Sequence, residues 1–181
     1  MRTPFLENEA TALIPLEPDD AAICYKWFLD FNVRKFLSSH NVPNTIEKSR
    51  RFIEQMNASH TDVLLGIVYK PESKYIGNIA LHGIDFYNRN GYVGIAIGEQ
   101  EYRGKGIGRQ ANNLLLNYAF NTLNLNMVFL NVFADNERAI RSYEKVGFKR
   151  AGVIPQCFFR DGKYIDCVIM AILKNEFTYL P

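Results

Sequence analysis

The sequence predicts an α/β chain, an α+β arrangement on one mixed sheet, in the order βααβββαβαββ with a central βαβ crossover. Three observations predict it. Three β-rich runs between residues 62 and 98 are separated only by turn residues, as in an antiparallel meander. A stretch of helical periodicity from Ile107 then leads into the apolar run MVFLNVFA (127–134), as in a strand–helix–strand crossover. The chain closes on GVIPQCFFRDGKYIDCVIMAIL, two strands about an Asp161-Gly162 turn.

Each element follows from local chemistry. TALIPL (11–16) reads as a short strand, and a helix begins at about Asp19 with acidic residues in its first turn. PNTIEKSRRFIEQMNAS is a second helix, capped by Thr45, with Ile46, Phe52, Ile53 and Met56 as its apolar positions. DVLLGIVYK, KYIGNIALHGID and GYVGIAIG supply the meander. Ile107, Ala111, Leu114, Leu115, Tyr118 and Ala119 make one apolar helix face. MVFLNVFA is apolar on both sides apart from Asn131, as expected of a strand buried in mid-sheet. DNERAIRSYEKVGF starts a helix with Asp135 or Asn136 as cap and stops it at Gly147.

At 181 residues and 48% hydrophobic, the chain suits a single domain over 1–181 with a full core. A formal charge of +2 gives no reason to expect a nucleic-acid partner. Cys24, Cys157 and Cys167 have no metal or disulfide spacing, and His40, His60 and His82 are scattered and read as ordinary histidines, so no metal is expected. MRTPFLENEA lacks the apolar core of a secretory signal, and no run nears the ~20 apolar residues that cross a bilayer. A cytoplasmic protein without membrane contact is the expectation.

The segment QEYRGKGIGRQ concentrates the chemistry. Gly104, Gly106 and Gly108 lie among Arg103, Lys105 and Arg109, just ahead of a helix whose N-terminus favours anions. A metal-dependent phosphate loop would need Ser or Thr after the lysine, and Gly106 stands there. A dinucleotide loop would need glycine at Arg109 and a place in the first βαβ unit. The pyrophosphate of coenzyme A, held by backbone N–H groups, and a merely solvated turn both remain.

The flanks bring in a family. Arg103-Gly104-Lys105-Gly106-Ile107-Gly108 matches the Arg/Gln-x-x-Gly-x-Gly/Ala loop, and Asn136, Ala139, Tyr143, Gly147 and Phe148 match the second signature, of the GNAT superfamily of acyl-CoA N-acyltransferases. The chain resembles that superfamily from about residue 10 to about 175. Its phrases IGEQEYRGKGIG and FFRDGKYIDCVIMAIL are most similar to the branch holding ribosomal-protein N-terminal and spermidine acetyltransferases.

The resemblance implies an acetyl-CoA-dependent N-acetyltransferase working by direct transfer. Residues 103–108 would hold the pyrophosphate. Ala96, Ile97 and Gly98 would lie on a strand splayed from its neighbour, with an N–H near Ile97 or Gly98 facing the thioester oxygen. Asn136 would bond the cofactor arm, and Tyr143 would protonate the leaving thiolate, although its spacing from Ala139 and Ile140 also suits a core residue. Glu99, at the strand end, is the candidate base, with a solvated carboxylate as the plain alternative. Lys105 and Arg109 would reach the 3′-phosphate. The acceptor would be a small-molecule amine such as a polyamine, or a peptide N-terminus. Amino sugars and antibiotics stay open, as does a non-catalytic CoA-binding module. Tyr25, Trp27, Phe28, Asp30, Phe31, Glu47, Phe158, Phe159, Tyr164 and Asp166 are its candidate contacts. A homodimer is the expected assembly.

Overall fold

The computed structural model describes residues 2–37 and 42–179, so His40 lies outside the described residues. Among them the chain forms β1 (Leu6–Glu7), β2 (Thr11–Pro15), α1 (Ala21–Leu29), α2 (Phe31–Arg34), α3 (Ile46–Ala58), β3 (Val63–Tyr69), β4 (Lys74–Asp85), β5 (Asn90–Ile97), α4 (Ile107–Asn121), β6 (Met127–Phe133), α5 (Glu137–Val146), β7 (Lys149–Arg160) and β8 (Lys163–Leu173). The predicted order holds, with two additions. β1 is a two-residue strand beside β2. α2 is a separate turn, because Asp30 adopts an extended backbone and its carboxylate accepts from the Asn32 N–H at 2.8 Å, restarting the helix.

One mixed sheet runs in the order β1-β2-β3-β4-β5-β6-β8-β7, antiparallel except where β5 meets β6. That parallel pair is the crossover through α4. Its ladder covers only Asn90↔Met127, Gly91↔Val128 and Tyr92↔Phe129. Beyond Tyr92 the strands part: β5 stays on β4 to Ile97, and β6 stays on β8 to Phe133. A V-shaped opening in the sheet plane results, with unpaired backbone along both edges.

Helices cover both faces. α4 and α5 close one, where Ile107, Ala111, Leu114, Leu115, Ile140 and Phe148 join Ile79, Leu81, Val128 and Met170 in the main core. α1 and α3 close the other, where Ala21, Cys24, Trp27, Ile53 and Met56 pack on Leu64 and Ala80. The capping predictions hold. Thr45 Oγ1 accepts from the Lys48 N–H at 3.1 Å, Asn136 caps α5, and Gly147 ends it at φ +112°. Two burial expectations do not. Ile46 and Phe52 of α3 are exposed, because the helix docks only through its Ser49–Ile53–Met56 stripe. β6 is fully buried on one face, while the other runs from half-buried Met127 and Phe129 through exposed Asn131 to buried Phe133.

Candidate functional site

The loop at the open end of the V is built as its glycines suggest. Gly104 and Gly106 have φ of +80° and +83°, and a Cβ on either would meet nothing within 4 Å. Gly106 is the N-cap of α4 and no side chain caps the helix. The first intrahelical donors are Arg109 and Gln110, both onto the Gly106 carbonyl. The N–H groups of Ile107 and Gly108 are therefore orphans facing the mouth of the opening, with the positive end of a 15-residue helix behind them.

The side chains of this loop serve differently from expectation. Arg103 Nε donates to the Ile97 carbonyl at 3.0 Å, and its Nη atoms donate to the carbonyls of Asn32 and Gly98. Its guanidinium thus fastens the end of β5 and the start of α2 to the loop rather than lying free for phosphate. Lys105 Nζ sits 4.9 Å from the Tyr102 ring centroid. Sequence reading missed Arg138, at the start of α5. Burial first, and then repulsion from Arg138 close by, hold the Arg103 guanidinium below its usual range. Arg138 has no carboxylate partner among the described residues. Only the folded chain brings it to the loop.

The three strand residues Ala96, Ile97 and Gly98 divide by the direction of their backbone groups. The N–H groups of Gly98 and Glu99 both donate to the Ile76 carbonyl on β4, at 2.9 and 3.1 Å. Antiparallel alternation then turns the backbone groups of Ala96 toward β4 as well, paired with Asn78. Ala96 and Gly98 are therefore committed to the sheet. Ile95 and Ile97 turn their backbone toward the opening, and of these the Ile97 carbonyl is taken by Arg103. Ile97 keeps its N–H for a ligand. Asn136 spends its side-chain oxygen on the Ala139 N–H at 3.3 Å, leaving its amide NH₂ to face out.

Tyr143 approaches the opening from the α4/α5 face. It packs edge-on against Phe148, with ring centroids 5.8 Å apart, and its hydroxyl has no partner among the described residues. Burial, reinforced by the nearby Tyr92 phenol, pushes its pKa well above the ordinary tyrosine value. The group is thus protonated at neutral pH and free to donate.

On the opposite face, even-numbered residues of β5 point toward α1 and α3, as contact between Gly98 and Trp27 proves. A Cβ on Gly98 would stand 2.0 Å from indole Cδ2. Alternation puts Gly94, Ala96 and Gly98 on that face, so beyond Trp27 the strand carries almost no side chain. Trp27 Nε1–H donates to Glu99 Oε1 at 2.8 Å, while Glu99 Oε2 lies 3.6 Å from Lys74 Nζ. Glu99 is not a free carboxylate. It lines an open pocket of about 380 Å³ with Lys26, Trp27, Asp30, Gly98, Gln100 and Glu101. Asp30 accepts from Gln100 and from the Asn32 N–H, and its pKa is lowered by those bonds in that order. On the far side of the opening, Phe133 stacks on Phe158 at 3.8 Å and meets Phe36.

Of the other candidate acceptor contacts, Glu47 pairs with Arg51 along the exposed face of α3. Asp166 accepts from the Gln156 N–H and braces a bulge in β7. Phe159 and Tyr164 pair at the exposed hairpin tip. No group of three His, Cys, Asp or Glu able to hold a metal occurs among the described residues, and none of their helices is long and apolar enough to cross a membrane.

Three comparisons bear on this arrangement. The family model described as an acetyltransferase (GNAT) domain matches residues 11–149. Among curated proteins, the chain is 33% identical over 111 residues to spermidine N(1)-acetyltransferase of Vibrio cholerae, spanning 61% of this chain and 64% of that protein. It is 27% identical over 165 residues to spermidine N(1)-acetyltransferase of Escherichia coli K12, covering 91% and 87%. Among solved structures, the Vibrio cholerae spermidine N-acetyltransferase in complex with CoA and spermine matches with a TM-score of 0.85 at 25% identity, over 93% of this chain and 98% of that one.

Proposed function

The chain belongs to the GNAT acetyltransferases, and on that premise we propose that it moves an acetyl group from acetyl-CoA to a primary amine of a polyamine, by direct transfer in a ternary complex. One observation carries the reading. The uncapped start of α4 lies beside Ile95 and Ile97, where β5 has parted from β6, and Tyr143, whose hydroxyl has no partner among the described residues, lies near Tyr92 at the point where the two strands separate.

The residues divide the work. The N–H groups of Ile107 and Gly108, with the helix behind them, neutralise pyrophosphate, and Arg138 and Lys105 add positive charge at the mouth. The Ile97 N–H, turned into the opening, suits the thioester oxygen and the charge that grows on it during attack. The Asn136 amide bonds the arm from the other edge. Tyr143 gives its proton to the sulfur as the carbon–sulfur bond breaks. Glu99, Asp30 and Glu101 outnumber Lys26 and Lys74, which pairs with Glu101 at 2.6 Å, so the mouth beside Trp27 keeps a net negative charge that suits a cationic amine. A cytoplasmic location and association into a homodimer belong to the same proposal.

The test is a panel of spermidine, spermine, short peptides with free N-termini, and amino sugars, incubated with the purified chain and acetyl-CoA and read by thiol release. Turnover on the polyamines above the others is expected. Turnover confined to peptides or amino sugars would reassign the acceptor, and thiol release with none of the amines would overturn the reading.

A further inference from the structure

Outside the residues already given a role, one half-buried edge of the acceptor face holds a paired acid and imidazole. We infer that His82, held by Asp62, is the base that takes the proton from the acceptor amine, which arrives along the bare strip of β5. The inference rests on the acetyl-transfer reading above and assigns a residue to it.

His82 lies on β4 directly beside Tyr92, the last residue of β5 before the strands part. It is two residues along from Ala80, which packs under α1 and α3, so it projects from the acceptor face. Its Nδ1 is 3.3 Å from Asp62 Oδ1. Asp62 is itself fixed, accepting from the Ser59 hydroxyl at 2.6 Å and from the Gly83 N–H at 3.1 Å. Those donors, the Ser59 hydroxyl foremost, hold its carboxyl below the ordinary range. A fixed carboxylate on Nδ1 keeps the proton on that nitrogen and leaves the lone pair of Nε2 free. Nε2 has no partner among the described residues, and it is turned over the strip: a Cβ on Gly94 would lie 3.6 Å from it. The side chain is 33% exposed, so a substrate can touch it. Asp62, from the turn before β3, and Tyr92, from β5, are the titratable groups that face it.

The contrast with Glu99 decides between two candidate bases. Glu99 already accepts from Trp27 and lies beside Lys74, so taking a proton there means weakening both contacts. His82 loses nothing. The placement also separates the two proton transfers by face. His82 Nε2 removes one proton from the ammonium on the α1/α3 face. The amine lone pair then forms the carbon–nitrogen bond as the carbon–sulfur bond breaks. Tyr143 protonates the sulfur from the α4/α5 face, the second amine proton restores the phenol, and the imidazolium returns its proton to solvent.

The experiment compares kcat/KM against pH for the unmodified protein, His82→Gln and Glu99→Gln, using spermidine and acetyl-CoA. Acetyl-CoA-dependent melting and ¹⁵N shifts of the histidines are measured on the same samples. His82→Gln is expected to lower kcat/KM roughly 10²-fold, to remove one ionisation from the acid limb, and to keep its thermal response to acetyl-CoA. Glu99→Gln should retain that ionisation and raise the KM for spermidine. Added imidazole should restore part of the rate to His82→Ala, and the ¹⁵N shifts of the neutral ring should report the tautomer with the proton on Nδ1 and Nε2 bare, a pattern lost in Asp62→Asn. Superimposable profiles for His82→Gln and the unmodified protein would overturn the inference while leaving acetyl transfer intact. An unmodified protein that releases no thiol with any amine would instead remove the acetyl-transfer reading, and this assignment with it.

Discussion

Replacing Gly98 with alanine tests how the acceptor pocket is held together. The new Cβ would lie 2.0, 2.2 and 2.3 Å from indole atoms Cδ2, Cε2 and Cγ of Trp27. Carbon contacts settle at about 3.5–4.0 Å, so the ring must retreat by roughly 1.5 Å. It has little room. Trp27 is 8% exposed and packs edge-on against Tyr75, with centroids 5.0 Å apart. A shift of that size carries the 2.8 Å bond from Nε1 to Glu99 past the ~3.5 Å limit of a hydrogen bond. Overpacking costs about 1–3 kcal/mol and a bond to a charged acceptor about 1.5–3 kcal/mol, the latter reduced because Glu99 is partly exposed. A total of about 2–4 kcal/mol, or a fall in Tm of roughly 5–15 °C, is expected. Guanidinium unfolding measures it. Trp27 is the sole tryptophan, so its emission reports the displacement directly. In a Trp27→Leu background the same change should cost far less, a coupling that a double-mutant cycle reads. The KM for spermidine should rise while that for acetyl-CoA holds. A Gly98→Ala protein within 0.5 kcal/mol of the parent, with the same emission maximum, would refute the reasoning.

Four further outcomes are expected. Tyr143→Phe removes one hydroxyl that bonds nothing among the described residues, so stability should change little, whereas kcat should fall about 10²–10⁴-fold in single-turnover measurements. Gly106→Asp puts a carboxylate at a φ of +83° beside orphan N–H groups, and should abolish the rise in Tm that saturating acetyl-CoA produces, about 2.7 kcal/mol at a hundredfold excess over Kd. Arg138→Ala should raise the KM for acetyl-CoA several-fold at low ionic strength and less at high salt, read in initial rates. Asp62, whose folded pKa lies below its unfolded value of about 3.9, contributes stability that is full above that value and is lost as pH falls through the lower folded one; Asp62→Asn should flatten that acid limb of a urea-melt series.

Local rules made most of the fold readable. The alternation from Asp62 to Gly98 needed only near-neighbour pairing, and the structure carries it as β3, β4 and β5. Thr45, Asn136 and Gly147 terminate helices because their side chains, or the lack of one, act within a few residues. The short α2 escaped notice because Asp30 breaks the backbone in mid-pattern without glycine or proline to mark it. Burial was less legible. Ile46 and Phe52 continue a helical stripe that the docking of α3 leaves in water.

The glycine loop, its helix and the tyrosine that follows at a set distance were legible without the fold, since left-handed backbone and an uncapped helix start are properties of a few consecutive residues. Tertiary structure alone decided which groups remain free to act. Gly98 and Ala96 lost their backbone donors to β4, and Arg103 lost its guanidinium to three carbonyls. Glu99 was claimed by a tryptophan 72 residues away. His82, one of three scattered histidines, acquired Asp62 behind it and an open strand in front. Hydrogen-bonding capacity is finite, so a side chain's chemistry is whatever its neighbours leave unspent. Those neighbours come together only when strands distant in sequence align.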